Sequence, residues 1–303
     1  MTLEPDFLLD RRRLKRRLAL WRVLAIVSLV VAVLVGYARF NGELLRDHVV
    51  RYGIEGIILD DADTMAALEE IADNSRIKAL IVHIDSPGGS FVGGEQLYYA
   101  LRKVAENKPV VAVMGTVAAS AGYMAAIASD RIFARHGTIT GSIGVMMQTT
   151  DITGLLDNLG ISAEAIKSAP LKAAPSPLEP LTDEARAASQ AIIDDMHGLF
   201  MEMVSERRGF DMSATLALAD GRVFTGRQAV ANGLIDAIGS ESAARDWLAS
   251  QRDVPRSLPV FDMSVDHDNR DWLDSARDFS QKMMLPERLT LDGLISLWHP
   301  GSW

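Results

Sequence analysis

Two stretches decide the fold: KALIVHIDSPGGS at residues 78–90 and PVVAVMGTVAASAGY at residues 109–123. Each begins with an apolar run of strand length. In the first stretch this run is followed by a turn that contains Gly88 and Gly89, and in the second it is followed by a turn that contains Ser120. Continuous apolar strands are typical of a parallel sheet that helices cover on both faces. The small residues around Ser120 predict a tight turn into a helix. This turn places a hydroxyl at the end of a buried strand, where α/β proteins present nucleophiles.

The glycine turn has a complementary chemical use. Backbone N–H groups that no side chain obstructs can stabilise a developing oxyanion, which is usually the largest catalytic contribution in acyl transfer. Ser120 with Gly88 and Gly89 therefore suggests a serine hydrolase. The alternative is that the glycines only end a strand and that the serine only allows close packing.

The alternation of strands and helices continues outward from these stretches, with the right-handed crossovers of an α/β fold. The predicted strands are residues 49–59, 78–84, 109–115, 131–134 and 143–148. The predicted helices are residues 61–74, 94–107, 120–129, 226–231, 240–250, 272–284 and 289–298, with a long helix capped at Thr182 and reaching about Arg208. The prolines of residues 165–180 predict an exposed loop between them.

Composition excludes several classes of function. The 303 residues include no cysteine, which rules out disulfides, zinc–thiolate sites and a thiol nucleophile. The net charge is −9 although basic residues crowd the first two dozen positions, so the main body is acidic and a nucleic-acid partner is not expected. We expect no cofactor and no metal.

The N-terminus has the pattern of a membrane anchor. A basic segment, residues 1–17, precedes an apolar segment, residues 18–37, which is about as long as the bilayer core requires. The positive-inside rule puts the N-terminus in the cytoplasm and the soluble domain, residues 38–251, on the other side. A cleavable signal peptide is the alternative, but the apolar run is long for one. Residues 252–303 form a tail expected to lie outside the main core.

A serine nucleophile needs a base, and the residue types leave two possibilities. His136, with a partner such as Asp151, would complete a histidine triad. A lysine could serve instead if burial or neighbouring charge lowered its pKa from the ordinary value. Composition alone favours neither Lys167 nor Lys172.

Five ordered blocks resemble the signal peptide peptidase A (SppA) family of short bacterial, membrane-anchored serine peptidases. The similarity spans roughly Val49 to Gly239, the whole predicted soluble core. The blocks are residues 84–89 (IDSPGG), 118–123 (AASAGY), 138–145 (TITGSIGV), 166–177 and 221–236.

The resemblance implies a Clp protease/crotonase-type fold and a Ser–Lys dyad peptidase. By this resemblance Ser120 is the nucleophile, Lys172 is the general base, and Gly88 and Gly89 form the oxyanion hole. Ser142 is the residue that orients the lysine.

The resemblance also implies partners and a location. The expected substrates are signal peptides that remain in the cytoplasmic (inner) membrane after secretion. The expected assembly is a homo-oligomeric ring in which neighbouring subunits share each site, with the catalytic domain periplasmic or otherwise extracytoplasmic. Two alternatives remain: acyl-CoA chemistry of the crotonase type, which would require paired glutamates, and a non-catalytic membrane scaffold.

Overall fold

A computed structural model describes residues 20–32, 46–263 and 295–297. The chain divides into two compact units, residues 1–48 and 49–303. In the first unit, residues 20–32 are helical (α1) with exposed side chains. Within the described ranges, no helix is long and apolar enough to cross a membrane. The predicted anchor, residues 18–37, extends outside these ranges at both ends.

The second unit contains the α/β fold that the sequence predicts. Its strands are β1 His48–Ile58, β2 Ile77–Ser90, β3 Val110–Ala119, β4 Arg131–Ala134, β5 Ile139–Gly141, β6 Val223–Thr225, β7 Ala237–Ile238, β8 Val260–Asp262 and β9 Ile295–Leu297. Its helices are α2 Ala62–Asp73, α3 Phe91–Asn107, α4 Ala121–Ile127, α5 Thr153–Asn158, α6 Asp183–Arg208, α7 Met212–Leu218, α8 Gly226–Ala231 and α9 Glu241–Gln251.

The strands form one mostly parallel sheet, in the order β6-β5-β3-β2-β1-β8. β3 has a divided edge: its first half pairs with β4 and its second half pairs with β5, both parallel. The antiparallel ladders are β5 with β6 and β2 with β9. The prediction of a parallel sheet with flanking helices is confirmed.

Both faces of the sheet are buried, which explains the continuous apolar runs. On β2, Leu80 and Val82 belong to the larger core, whereas Ala79 and Ile81 belong to a second core on the other face. Helix α9 contributes Leu248 to this second core. A strand with both faces buried cannot alternate polar and apolar residues.

Three sequence predictions need correction. No strand of the described sheet runs through residues 143–148; the strand is β5, and it ends before Ser142, whose φ of 50° is incompatible with extended backbone. The packed unit continues past residue 251, because Val254 is buried and β8 pairs with β1. Residues 295–297, predicted within a helix, form a strand.

Candidate active site

Ser120 occupies a strained turn between β3 and α4. Its backbone has φ 57° and ψ −120°, a conformation that is costly for any residue except glycine. Three backbone hydrogen bonds hold this turn: the Ser120 N–H donates to the Gly141 carbonyl at 2.9 Å, and the Ser120 carbonyl accepts from the N–H groups of Tyr123 at 2.8 Å and Met124 at 3.0 Å. The residue is only 1% exposed. A strained strand-to-helix turn of this kind is how α/β-hydrolases hold a nucleophilic serine.

Small residues around Ser120 permit this turn because other backbone segments approach closely. A Cβ on Gly122 would lie 3.0 Å from the Ser86 carbonyl oxygen. On α3, a Cβ on Gly94 would lie 2.8 Å from the Cβ of Ala121. The small residues therefore bring both β2 and α3 against the start of α4, which is the close packing that the alternative interpretation predicts and which is compatible with a catalytic serine.

The glycine turn lies beside this serine. The parallel register of β2 and β3 places Ser86 opposite Ala118, so Gly88 and Ser120 each follow two residues further along. Gly88 has a φ of 118°, which favours glycine. A Cβ on Gly89 would lie 1.8 Å from the Ile58 carbonyl oxygen, so no larger residue fits there without displacing β1.

Ser86 is a site residue to which sequence reasoning gave no role. Its side chain is fully buried, and its hydroxyl donates to the Gly56 carbonyl at 2.6 Å. The same oxygen accepts the Gly88 N–H at 3.1 Å. Ser86 thus ties the glycine turn to β1 and holds one of the two N–H groups predicted for the oxyanion hole. Its position within the IDSPGG block was the available signal.

Ser142 lies on the other side of Ser120. It follows Gly141, the backbone partner of Ser120, and it is buried with a φ of 50°. Its N–H donates to the Arg222 carbonyl at 2.9 Å, which fixes it against the segment before β6. The fold therefore brings Ser120, Ser142 and the glycine turn to one end of the sheet.

Lys172 is placed differently from these residues. It lies on the long loop between α5 and α6, where its side chain is exposed. The Lys172 N–H donates to the Ala169 carbonyl at 3.1 Å. The loop is exposed, as its prolines predict, but Lys167 on the same loop is ion-paired with Glu179 and largely covered.

The residues of the alternative triad lie in exposed segments. His136 lies in the turn before β5, whereas Gly141, which binds Ser120, ends that strand. Asp151 accepts hydrogen bonds from the Thr153 hydroxyl at 2.6 Å and the Thr153 N–H at 2.9 Å, and the hydroxyl bond is the larger cause of its lowered pKa. This carboxylate is engaged by its own turn.

Comparison with known proteins decides the family. The model of peptidase family S49 matches residues 102–255. The chain belongs to peptidase family S49. This membership confirms the resemblance seen in the sequence, and it places the chain among serine-type peptidases.

Individual relatives agree with the assignment. A Synechocystis sp. protein named as a protease is 37% identical over 207 residues, covering 68% of this chain and 74% of its own length. Serine protease SPPA, chloroplastic, of Arabidopsis thaliana is 33% identical, covering 64% of this chain and 29% of its own. Protease 4 of Haemophilus influenzae is 33% identical, covering 70% of this chain and 36% of its own length. The chain thus spans about a third of the two longer relatives. Among solved structures, a ClpP1 mutant from Listeria monocytogenes matches 63% of this chain and 91% of its own, with a TM-score of 0.42 and 14% identity.

Proposed function

We propose that this protein is a membrane-anchored serine endopeptidase that uses a Ser–Lys dyad to degrade signal peptides after secretion. The observation that carries the proposal is the buried Ser120, held in a strained turn beside a glycine-rich strand end, within a chain of the S49 family. The apolar N-terminal segment supports an anchor, with the catalytic domain on the extracytoplasmic side.

Catalysis would proceed by acyl transfer. The uncharged amine of Lys172 accepts the Ser120 proton, and the serine oxygen forms a bond to the scissile carbonyl carbon. The glycine turn donates N–H groups to the oxyanion, which requires Gly88 or Gly89 to turn a donor toward the substrate. The amine then protonates the leaving nitrogen, and water hydrolyses the acyl-enzyme. No step requires a metal or a cofactor.

Neighbouring subunits would share each site. Within one chain, Ser120 is buried at the sheet end whereas Lys172 is exposed on a loop, so a lysine supplied by an adjacent copy of the Clp-type ring satisfies the chemistry. Docking against that copy would also cover Lys172 and remove it from water, as a general base requires.

The first test is cleavage of a signal-peptide substrate by the purified full chain. Ser120→Ala and Lys172→Ala should each abolish cleavage, while Lys167→Ala, on the same loop, and His136→Ala should retain it. A fully active Lys172→Ala variant would reject the dyad. Loss of activity in His136→Ala alone would favour the histidine alternative, and a wild type that assembles but never cleaves would favour the scaffold.

The second test mixes the two inactive variants. In rings that form at random from equal amounts of Ser120→Ala and Lys172→Ala subunits, about a quarter of shared sites combine an intact serine with an intact lysine. Co-refolding should therefore restore about a quarter of wild-type activity. If each subunit builds its own site, the mixture stays inactive.

A further inference from the structure

The strand that leads to Ser120 contains a bulge at residues 115–117. Between the two ladder pairs that flank it, β3 advances four residues while β2 advances only two. The flanking pairs are Ile84 with Met114 and Ser86 with Ala118. A bulge bends its strand and changes the direction of the residues that follow, and bulges are common beside active sites. The path of the backbone through residues 115–117 therefore determines where Ser120 lies.

The bulge is also the place where β3 changes its neighbour. Before the bulge β3 pairs with β4, and from Val117 onward it pairs with β5. The β5 ladder ends with Ala119 opposite Gly141, whose carbonyl accepts the Ser120 N–H. The bulge thus moves β3 onto the strand that holds the backbone of the proposed nucleophile.

Asp85 is the β2 residue that lies opposite the bulge. One oxygen of its half-buried carboxylate accepts the Val117 N–H at 3.0 Å. The other oxygen lies 2.8 Å from the position that a Cβ on Gly115 would take, so the missing side chain of Gly115 leaves room for the carboxylate. A hydrogen bond to a charged acceptor is about twice as strong as a neutral one. Asp85 therefore spans the bulge and holds its last N–H group.

Thr138 holds the bulge from the opposite side, directly before β5. Its hydroxyl donates to the Gly115 carbonyl at 2.8 Å and accepts the Arg135 N–H at 3.0 Å. The residue is only 2% exposed, so these bonds are shielded from water. Side chains from both sides of β3 therefore fix the first carbonyl and the last N–H of the bulge.

We infer that Asp85 and Thr138 are positioning residues, which hold the bulge and thereby set the place of Ser120 beside the glycine turn. The inference rests on the proposed function, because it names what positions the nucleophile of that reaction. Both side chains act through the backbone that runs from Val117 to Ser120. A misplacement of about 1 Å at a reacting group can cost about 100-fold in rate.

Three variants of the full chain test the role of the Asp85 carboxylate. Asp85→Ala removes the acceptor, whereas Asp85→Asn keeps an acceptor oxygen and removes the charge. Asp130→Ala is the matched control, because the Asp130 carboxylate accepts the Val110 N–H at 3.0 Å, which is the same kind of bond at the opposite end of β3. Each variant is compared with the wild type in the cleavage of a signal-peptide substrate.

In Asp85→Ala we expect kcat to fall by about 10–100-fold while KM stays within about twofold, because the nucleophile is displaced. Asp85→Asn should bring kcat back to within about threefold of the wild type, because the hydrogen bond is kept. Asp130→Ala should lower the Tm about as much as Asp85→Ala and leave kcat unchanged. An unchanged kcat in Asp85→Ala, an equal fall in Asp130→Ala, or an Asp85→Asn variant as impaired as Asp85→Ala would overturn the inference.

Thr138 supplies an independent pair of variants, which decides the matter if Asp85→Ala does not fold. Thr138→Val keeps the shape of the side chain and removes the hydroxyl, whereas Thr138→Ser keeps the hydroxyl. We expect kcat to fall by about tenfold in the valine variant and to stay within about threefold of the wild type in the serine variant. Equal kcat values for the two variants would contradict the positioning role.

Hydrogen exchange gives a readout that does not depend on catalysis. In Asp85→Ala the amide protection of Val117 and Ser120 should fall by about tenfold, as the loss of one hydrogen bond implies. Asp130→Ala should leave the Ser120 amide protected. Equal protection of Ser120 in Asp85→Ala and the wild type would overturn the inference. A wild type that cleaves no peptide but shows this exchange pattern would reject the proposed function and leave the hold on the bulge established.

Discussion

Replacing Ser86 with alanine should cost both stability and turnover. The fully buried hydroxyl satisfies two backbone groups, the Gly56 carbonyl at 2.6 Å and the Gly88 N–H at 3.1 Å. Alanine leaves both unpaired, and each unpaired buried group costs about 1–3 kcal/mol, so we expect unfolding to become easier by about 3 kcal/mol. For a domain of this size, this corresponds to a Tm lowered by about 6–12 °C.

The catalytic effect should accompany this loss because the glycine turn is then no longer tied to β1. We expect kcat for peptide cleavage to fall by about 10–100-fold, which is less than the roughly 100–1,000-fold lost when an oxyanion donor is removed outright. Ser129→Ala is the matched control: this buried hydroxyl donates to the Ala126 carbonyl at 2.6 Å, away from the site. It should lower stability by about 1 kcal/mol and leave kcat unchanged. A Ser86→Ala protein as stable and as active as the wild type would refute the reasoning.

Two further predictions concern packing and pH. Gly89→Ala should prevent native folding or lower the Tm sharply, because its Cβ would lie 1.8 Å from the Ile58 carbonyl oxygen. The control is Gly53→Ala, which should shift the Tm little because its Cβ would have no atom within 4 Å. Equal melting curves for the two variants would contradict the close approach at Gly89. Burial raises the pKa of Tyr52 and Tyr123, so the associated stability is present below about pH 10, the ordinary tyrosine pKa, and is lost at higher pH. Denaturant unfolding between pH 9 and 11 should show this loss as a fall in the free energy of unfolding with rising pH. Tyr123→Phe should reduce the slope of that fall by up to about 1.4 kcal/mol per pH unit. An unchanged slope would show that the Tyr123 phenol does not contribute.

The sequence predicts the sheet well where burial is complete. The continuous apolar runs of β2 and β3 identify strands covered on both faces, and Asp61 and Thr182 mark helix starts by hydrogen bonds that local sequence supplies. The sequence misplaces β5 because the following residues are also apolar, and only the positive φ of Ser142 reveals where extended backbone ends.

The candidate site is predictable in part for a related physical reason. The turn at Ser120 can be predicted from the small residues around it. The glycines of the IDSPGG block are needed because other backbone segments approach them closely. The role of Ser86 depends on β1, which lies thirty positions earlier in the chain, where Gly56 accepts its hydroxyl. In the proposed shared site, the relation of Lys172 to Ser120 depends on assembly, which a single sequence does not encode locally. The β9 ladder escapes prediction since residues 289–298 have a helical pattern while pairing depends on a remote edge.

The strained backbone of Ser120 implies a trade-off between thermal stability and activity. Glycine adopts a φ of 57° without the penalty that a side chain incurs, so Ser120→Gly should release roughly 1 kcal/mol or more of backbone strain while removing the attacking oxygen. The inactive Ser120→Gly variant would then have a higher Tm than the wild type. A laboratory evolution that selected for survival of heating alone would remove the proposed nucleophile, and only a screen that also requires turnover would retain it.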